Sequence, residues 1–506
     1  GVVVGIAIAG VALIPLGDQL LRSPLDRDDL AGVNSDTAEA IALVSPNALG
    51  PPDGPFAGAG NTVETAAFVG SAALLLTVLA IAQRGSTARA GVKAYVIAVA
   101  VTVGALVFVD GPHVDLAARV PVLDFNPLTR LRSVLGFAIA VGAAIGLDGI
   151  VRASAVAWRR LAVAAVIAAG AAAAVLIAVR ARADPHDVVT VGTTLVRPAL
   201  VSLVTVAGVV VAYRRPRRAP FAVAAIALLM VVDGASFASD WWRTTADDHF
   251  FPQTSTHDLL DRELGTDRFA GTGGSLVPGT GTYYGHREIT GNAGHTEEWA
   301  DLLREADPDV FVTTTYSRLG TGVEEVRSPV LDRLAVRFVS YPIGSVVGTT
   351  SPPPPSPMTS TVAPRGSVGL RWPGEATGAL VFDLAEDLVS ADPFATVRVE
   401  LLDADGGDLG GGERRVFLGI PAGELTVPFV SPTVEPAEVR LTYEADGGAP
   451  LTLGATAAGT PAVGSVVLPD GLRVVHAEGA TVVERTTSLP RIRWADPVSY
   501  THLRAH

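Results

Sequence analysis

Two textures meet near residue 240 of this chain. Before that point seven runs are almost wholly apolar: 1–16, 65–83, 94–109, 133–151, 161–179, 198–213 and 219–238. They are rich in Ala, Val and Leu on every side, without the polar face that a helix on a soluble protein's surface shows. A bilayer span needs roughly 20 apolar residues, with about 17 as the lower limit. The first run is therefore a truncated span, and the third and sixth need interfacial flanks. Helices buried in a soluble domain are the alternative.

After residue 240 the periods shorten. Segments 257–263, 297–306 and 328–335 read as helices, and 267–270 and 336–341 as strands. The proline run at 352–357 reads as a stiff linker and domain boundary. Beyond it, short alternating strands are expected at 367–372, 379–384, 396–402, 414–418, 425–429, 438–443 and 451–453, with Gly, Asp and Pro turns between them. That spacing predicts a β-sandwich.

Charge sets a direction on the apolar half. Arg84, Arg89 and Lys93 separate runs two and three; Arg152, Arg159 and Arg160 separate runs four and five; the RRPRR cluster at 214–218 separates runs six and seven. The intervening loops carry mixed charge. The positive-inside rule puts the three basic loops in the cytoplasm, so everything after run seven is expected outside, and Trp241 and Trp242 fall at headgroup level. The expected fold class is a multi-pass α-helical membrane domain followed by an extracytoplasmic α/β region and a β-sandwich. Its divisions are 1–240, 241–350, 351–463, closing strands at 464–498 that pack on the outer domains, and a tail at 499–506 whose composition breaks with what precedes it.

Composition agrees. A mean hydropathy of +0.39 with 18% charged residues is high for a soluble protein, and a net charge of −13 argues against nucleic acid. Cysteine is absent, which removes disulfides, thiolate metal sites and a Cys nucleophile. Lys93 is the only lysine, the Arg/Ala/Val/Gly bias of a high-GC bacterial genome. The chain begins at Gly1 inside an apolar run, without a signal-peptide n-region, and both ends are expected to be cut.

Chemistry concentrates in the outer loops. Segment 121–136, PVLDFNPLTRLRSVLG, puts Arg130 and Arg132 at the lip of an apolar helix. Arginine holds phosphate through bidentate hydrogen bonds; interfacial snorkelling of the same side chains is the alternative. Asp18, Asp26, Asp28, Asp29, Asp36, Asp115 and Asp124 in the loops can serve as a general base or hold a divalent cation, or simply keep a loop solvated. His113 and Asp115 are two metal ligands, which do not make a site. The glycines of 271–294 lack the strand–GxGxxG–helix order of a phosphate loop. The acids Asp403, Asp405 and Asp408 fit a hairpin turn better than a calcium loop. Trp372 and Tyr443 are candidates for sugar stacking or for the core. A transporter would show repeated broken helices and intramembrane charges, and neither is evident.

The order of these features resembles the YfhO-like family of bacterial membrane proteins, of glycosyltransferase GT-C type. The likeness spans most of 1–497 through short segments: Leu13–Leu16 with Ser23 and Arg27; Glu64 with Val69-Gly70; the Pro121, Arg130 and Arg132 segment; Arg268-Phe269; Tyr284-Gly285; Ile289–Gly291; PVLDRLAVRF at 329–338; and Leu489–Arg491. Pro278-Gly279 and Gly291–Ala293 depart from the pattern. The resemblance implies transfer of a sugar from a polyprenyl-phosphate carrier to a cell-envelope polymer or lipid on the outer face of the bilayer. Arg130 and Arg132 would contact the carrier phosphate, with Arg27 a third contact. The catalytic carboxylate would lie in a loop preceding Gly1. A non-catalytic, membrane-anchored glycan-binding or scaffold protein is the alternative.

Overall fold

The computed structural model describes residues 10–11, 14–15, 18, 37–50, 66–84, 88–117, 119–120, 128–152, 155–182, 194–242, 244–292, 295–313, 315–374, 377–389, 392, 394–416 and 419–492. The chain divides into two compact units, residues 26–247 and residues 248–506 with 1–25.

The first unit is helical: α1 (Ser71–Ala82), α2 (Ala90–Phe108), α3 (Arg132–Val151), α4 (Trp158–Arg182), α5 (Val196–Arg214) and α6 (Ala219–Trp241). Five segments are long and apolar enough to cross a membrane: Ala90–Phe108, Leu128–Val151, Trp158–Val179, Val196–Arg214 and Pro216–Trp241. They match the last five apolar runs. The second run differs. Its helix α1 has 12 residues, about 18 Å at 1.5 Å per residue and too short for a core of about 30 Å. Residues 66–70 before it are neither helix nor strand and end at Gly70, whose φ of +81° an L side chain rarely adopts. Of the first run, only 10–11 and 14–15 are described, and these are helical.

Helix α3 lies closest to α1, and glycine explains the distance. A Cβ on Gly146 would stand 2.3 Å from the Leu76 carbonyl oxygen, and one on Gly142 would stand 2.6 Å from Thr77 Cγ2. Gly142 and Gly146 are four apart and so share one helix face, the small-residue arrangement that lets backbones touch. Thr77 Oγ1 uses this proximity to donate to the Ile139 carbonyl across the interface at 2.9 Å. The outward faces stay apolar: Val166, Ile167 and Ile177 on α4 and Leu228 and Val231 on α6 are each more than 60% exposed.

The second unit begins with α7 (Ser255–Glu263), β1 (Arg268–Gly271), α8 (Glu297–Ala306), α9 (Pro329–Arg333) and β2 (Val336–Tyr341). Next come β3 (Thr349–Ser351), β4 (Met358–Val362), β5 (Gly366–Leu370), β6 (Thr377–Leu384), β7 (Thr396–Leu402), β8 (Asp408–Arg415) and β9 (Gly423–Pro428). The last strands are β10 (Glu438–Glu444), β11 (Leu451–Ala455), β12 (Gly464–Val467), β13 (Leu472–Glu478) and β14 (Ala480–Arg485). Three main sheets result: β13-β14-β2-β1, β5-β10-β7-β8, and β3-β12-β6-β11-β4 with β9 also on β6. The last two share one core. In the first of them Val397, Val399 and Leu401 pair with Tyr443, Leu441 and Val439, all buried. From the other come Leu380, Phe382, Leu425, Val427 and Leu453.

Two expectations shift. A strand was expected at 414–418; it runs Asp408–Arg415 instead. The glycines at 410–412 look like a turn but pair with Val399, Glu400 and Leu401, and a Cβ on Gly412 would stand 2.0 Å from the Pro428 carbonyl oxygen. The proline run joins the two edge strands β3 and β4 of one sheet. The closing hairpin β13–β14 pairs onto β2. Arg485 locks that join: fully buried, it donates to the carbonyls of Val326, Val336 and Ser328 and to Asp332 Oδ1.

Candidate functional site

Polar side chains of the helical unit gather at its two ends. At one end Gln83, just past α1, donates to the Gly146 carbonyl and the Tyr213 hydroxyl, and Lys93 donates to the Gln83 carbonyl. The basic loops of the sequence lie at this end. The other end collects the starts of α1, α3 and α5 and the finishes of α2 and α6. There Ser71 Oγ donates to the Pro198 carbonyl at 3.0 Å, and Trp241 Nε1 to Asn47 Oδ1 at 2.8 Å.

Among the described residues, two ion pairs stand at this second end. Arg132 opens α3 and is 7% exposed; its Nη2 donates to Glu39 Oε2 at 2.7 Å, and Glu39 is 1% exposed. Glu39 rides on the short 3-10 helix Thr37–Leu43, which Thr37 Oγ1 ties to the Phe108 carbonyl at 2.7 Å. The Phe108 ring sits under the guanidinium, 5.7 Å from Cζ, a cation–π contact. Arg197, at the start of α5, pairs with buried Asp233 of α6 at 2.7 Å. Asp233 also walls a cavity of about 180 Å³ beside Phe68 and Phe237.

The two arginines of the sequence motif therefore part. Arg132 points inward onto a carboxylate, whereas Arg130, on the 3-10 turn Leu128–Leu131, is exposed, and its carbonyl accepts from Ser133 Oγ. Residues 121–127 of the motif and Arg27 lie outside the described residues. Glu39 and Asp233 were missed by sequence reasoning. Each had a signal: an ionisable residue inside an apolar stretch is expensive in lipid and marks a partner or a site. His113 is spent on the Ala105 carbonyl, which its Nε2 meets at 3.1 Å.

No protein-family model matches the chain, and no curated protein matches it. Among solved structures, a match is to a chain of the T13 IBDV viral particle, at 18% identity over 29% of this chain and 37% of that one. Its TM-score of 0.09 carries no argument.

In the second unit the glycine-rich segment is occupied by an acid. Glu288 accepts from the Gly279 amide and from Thr290 Oγ1, both at 2.9 Å, so amides that would face a phosphate face a carboxylate instead. Burial pushes the Glu288 carboxyl up to about 7, with the Gly279, Thr290 and Gly281 hydrogen bonds pulling the other way. Beside it, the His257 and Tyr284 rings stack at 3.8 Å, and His286 Nε2 meets Asp261 Oδ1 at 2.8 Å. Asp403 caps its own hairpin, accepting from the Asp405 and Gly407 amides, so the DADGGD segment is a turn. Among the described residues no three His, Asp or Glu side chains gather to hold a metal.

Proposed function

We propose that this chain is an integral membrane glycosyltransferase of GT-C type, taking a sugar from a polyprenyl-phosphate carrier to a cell-envelope acceptor. The observation that carries the reading is the buried Glu39–Arg132 pair at one end of a bundle of apolar helices, with exposed Arg130 two residues away. Charges held in such surroundings are costly even when paired, and their presence marks a binding or catalytic site. Orientation follows from the basic loops at the opposite end, which the positive-inside rule assigns to the cytoplasm of a bacterial cell. The Glu39 end and residues 248–506 then face outward.

In this reading Arg130 meets the carrier phosphate first, and Arg132 turns from Glu39 to a phosphate oxygen. The sugar C1–O bond to phosphate breaks as the acceptor oxygen bonds to C1. Glu39 takes the acceptor hydroxyl proton, while the arginines balance the charge on the departing phosphate. Arg27 remains a candidate third phosphate contact. A divalent cation is not needed for this charge balance.

The test uses the full chain in neutral-lipid nanodiscs, titrated with a polyprenyl phosphate. Arg130→Gln should weaken binding at least tenfold while leaving the melting temperature within about 2 °C. Equal affinity in the variant would sink the proposal.

A further inference from the structure

We infer that the second unit carries a binding cleft for a neutral oligosaccharide, with Trp372 as its stacking wall. The inference rests on that unit's geometry alone and stands apart from the transfer reading. Three connections converge on one cleft of about 490 Å³: the segment after β5, which carries Trp372, the segment after β9, and the β12–β13 turn. That volume lies within the range of small-ligand sites.

The cleft's shape is set before any ligand arrives. Ser431 N–H donates to the Val474 carbonyl at 2.9 Å, and Ser431 Oγ accepts from the Val474 amide at 3.0 Å, tying two walls together. Thr377 Oγ1 closes the Trp372 segment onto the Gly374 carbonyl at 3.0 Å. The indole is half-buried, with its ring 5.8 Å from the Phe429 ring of the core, so it is braced by the core while it lines the cleft. Tyr443, the other aromatic candidate, is fully buried in the core and takes no part.

The lining chemistry selects the ligand. A pyranose has an apolar C–H face, which suits an indole, and a rim of hydroxyls, which suits carboxylates and side-chain hydroxyls. Glu435 and Asp470 supply carboxylates from two of the three connections, and Ser431 and Thr433 supply hydroxyls. Arg473, whose Nε donates to Glu484 at 2.5 Å, is one cation against the two carboxylates of the cleft. The remaining charge is negative, which disfavours phosphate and uronate ligands. A groove of similar volume at Arg398, Glu400 and His476 has no Trp, Tyr or Phe in its wall and lacks this match.

The full chain in phosphatidylcholine nanodiscs would be titrated with cello-, malto-, manno- and chitohexaose and with hexagalacturonate, reading the heat of binding by calorimetry. At least one neutral oligosaccharide should give a saturable change. Trp372→Ala should lower its affinity at least tenfold, and Trp372→Phe by less than threefold. Should Trp372→Ala fail to fold, the pair Glu435→Gln and Asp470→Asn, both exposed in the native chain, should lower affinity at least fivefold. No saturable response to any neutral oligosaccharide, unchanged affinity in the variants, or tighter binding of hexagalacturonate would each overturn the inference. An Arg130→Gln chain should bind oligosaccharide as the wild type does, so a failure here is separable from a failure of phosphate binding.

Discussion

Replacing Arg132 by Met would leave the Glu39 carboxylate inside the helical unit without its guanidinium. At 2.7 Å and an effective dielectric of about 20, the attraction between the two charges is about 6 kcal/mol. Desolvation takes back several kcal/mol per ion, so the pair is worth little against an apolar pair of equal volume. Breaking it on one side is different, because the buried acid remains; about 3–5 kcal/mol is the expected loss. For a unit of this size 1 kcal/mol moves the melting temperature by about 2–4 °C, so Arg132→Met should lower it by roughly 6–20 °C. Adding Glu39→Gln removes the stranded charge and should recover at least half of that loss. The assay is thermal unfolding of the detergent-solubilised full chain, for wild type, both single variants and the double. Additive losses, with a coupling energy under about 0.5 kcal/mol, would show that the two side chains do not hold each other.

Glu288 gives a pH-dependent outcome. Its carboxyl is raised in the folded chain, from 4.5 to about 7, by burial, so between those values the native state binds the extra proton and stability falls as pH rises. Relative to Glu288→Gln, the wild-type second unit should lose up to about 3 kcal/mol from pH 4.5 to 7.5; equal pH profiles from urea unfolding would refute the burial argument. Gly146→Ala forces a Cβ to 2.3 Å from the Leu76 carbonyl oxygen, so α1 and α3 must separate at about 1–3 kcal/mol or more. A melting temperature unchanged from wild type would mean the two backbones do not touch there.

Local pattern determined much of this protein. The apolar runs place α2 to α6, because a helix that is apolar on all sides announces itself by length alone. Period-two alternation locates Thr396–Leu402 and Glu438–Glu444 to within a residue, because one face of each meets a core and the other meets water. The candidate site was legible only in part. Arg130 and Arg132 stood out as arginines beside an apolar helix; two residues along a helix put side chains about 200° apart, but which of the two turns inward was not legible. Which one is buried depends on Glu39, 93 residues earlier, and nothing local in TAEAIAL says that its acid meets an arginine. Likewise the glycines of 410–412 look like a turn until Pro428 approaches, and Trp372 becomes a cleft wall only when three distant connections meet around it. Composition and period act on neighbours along the chain. Pairing of buried charges, close backbone approach and cleft walls are contacts between distant segments, and only the tertiary structure decides them.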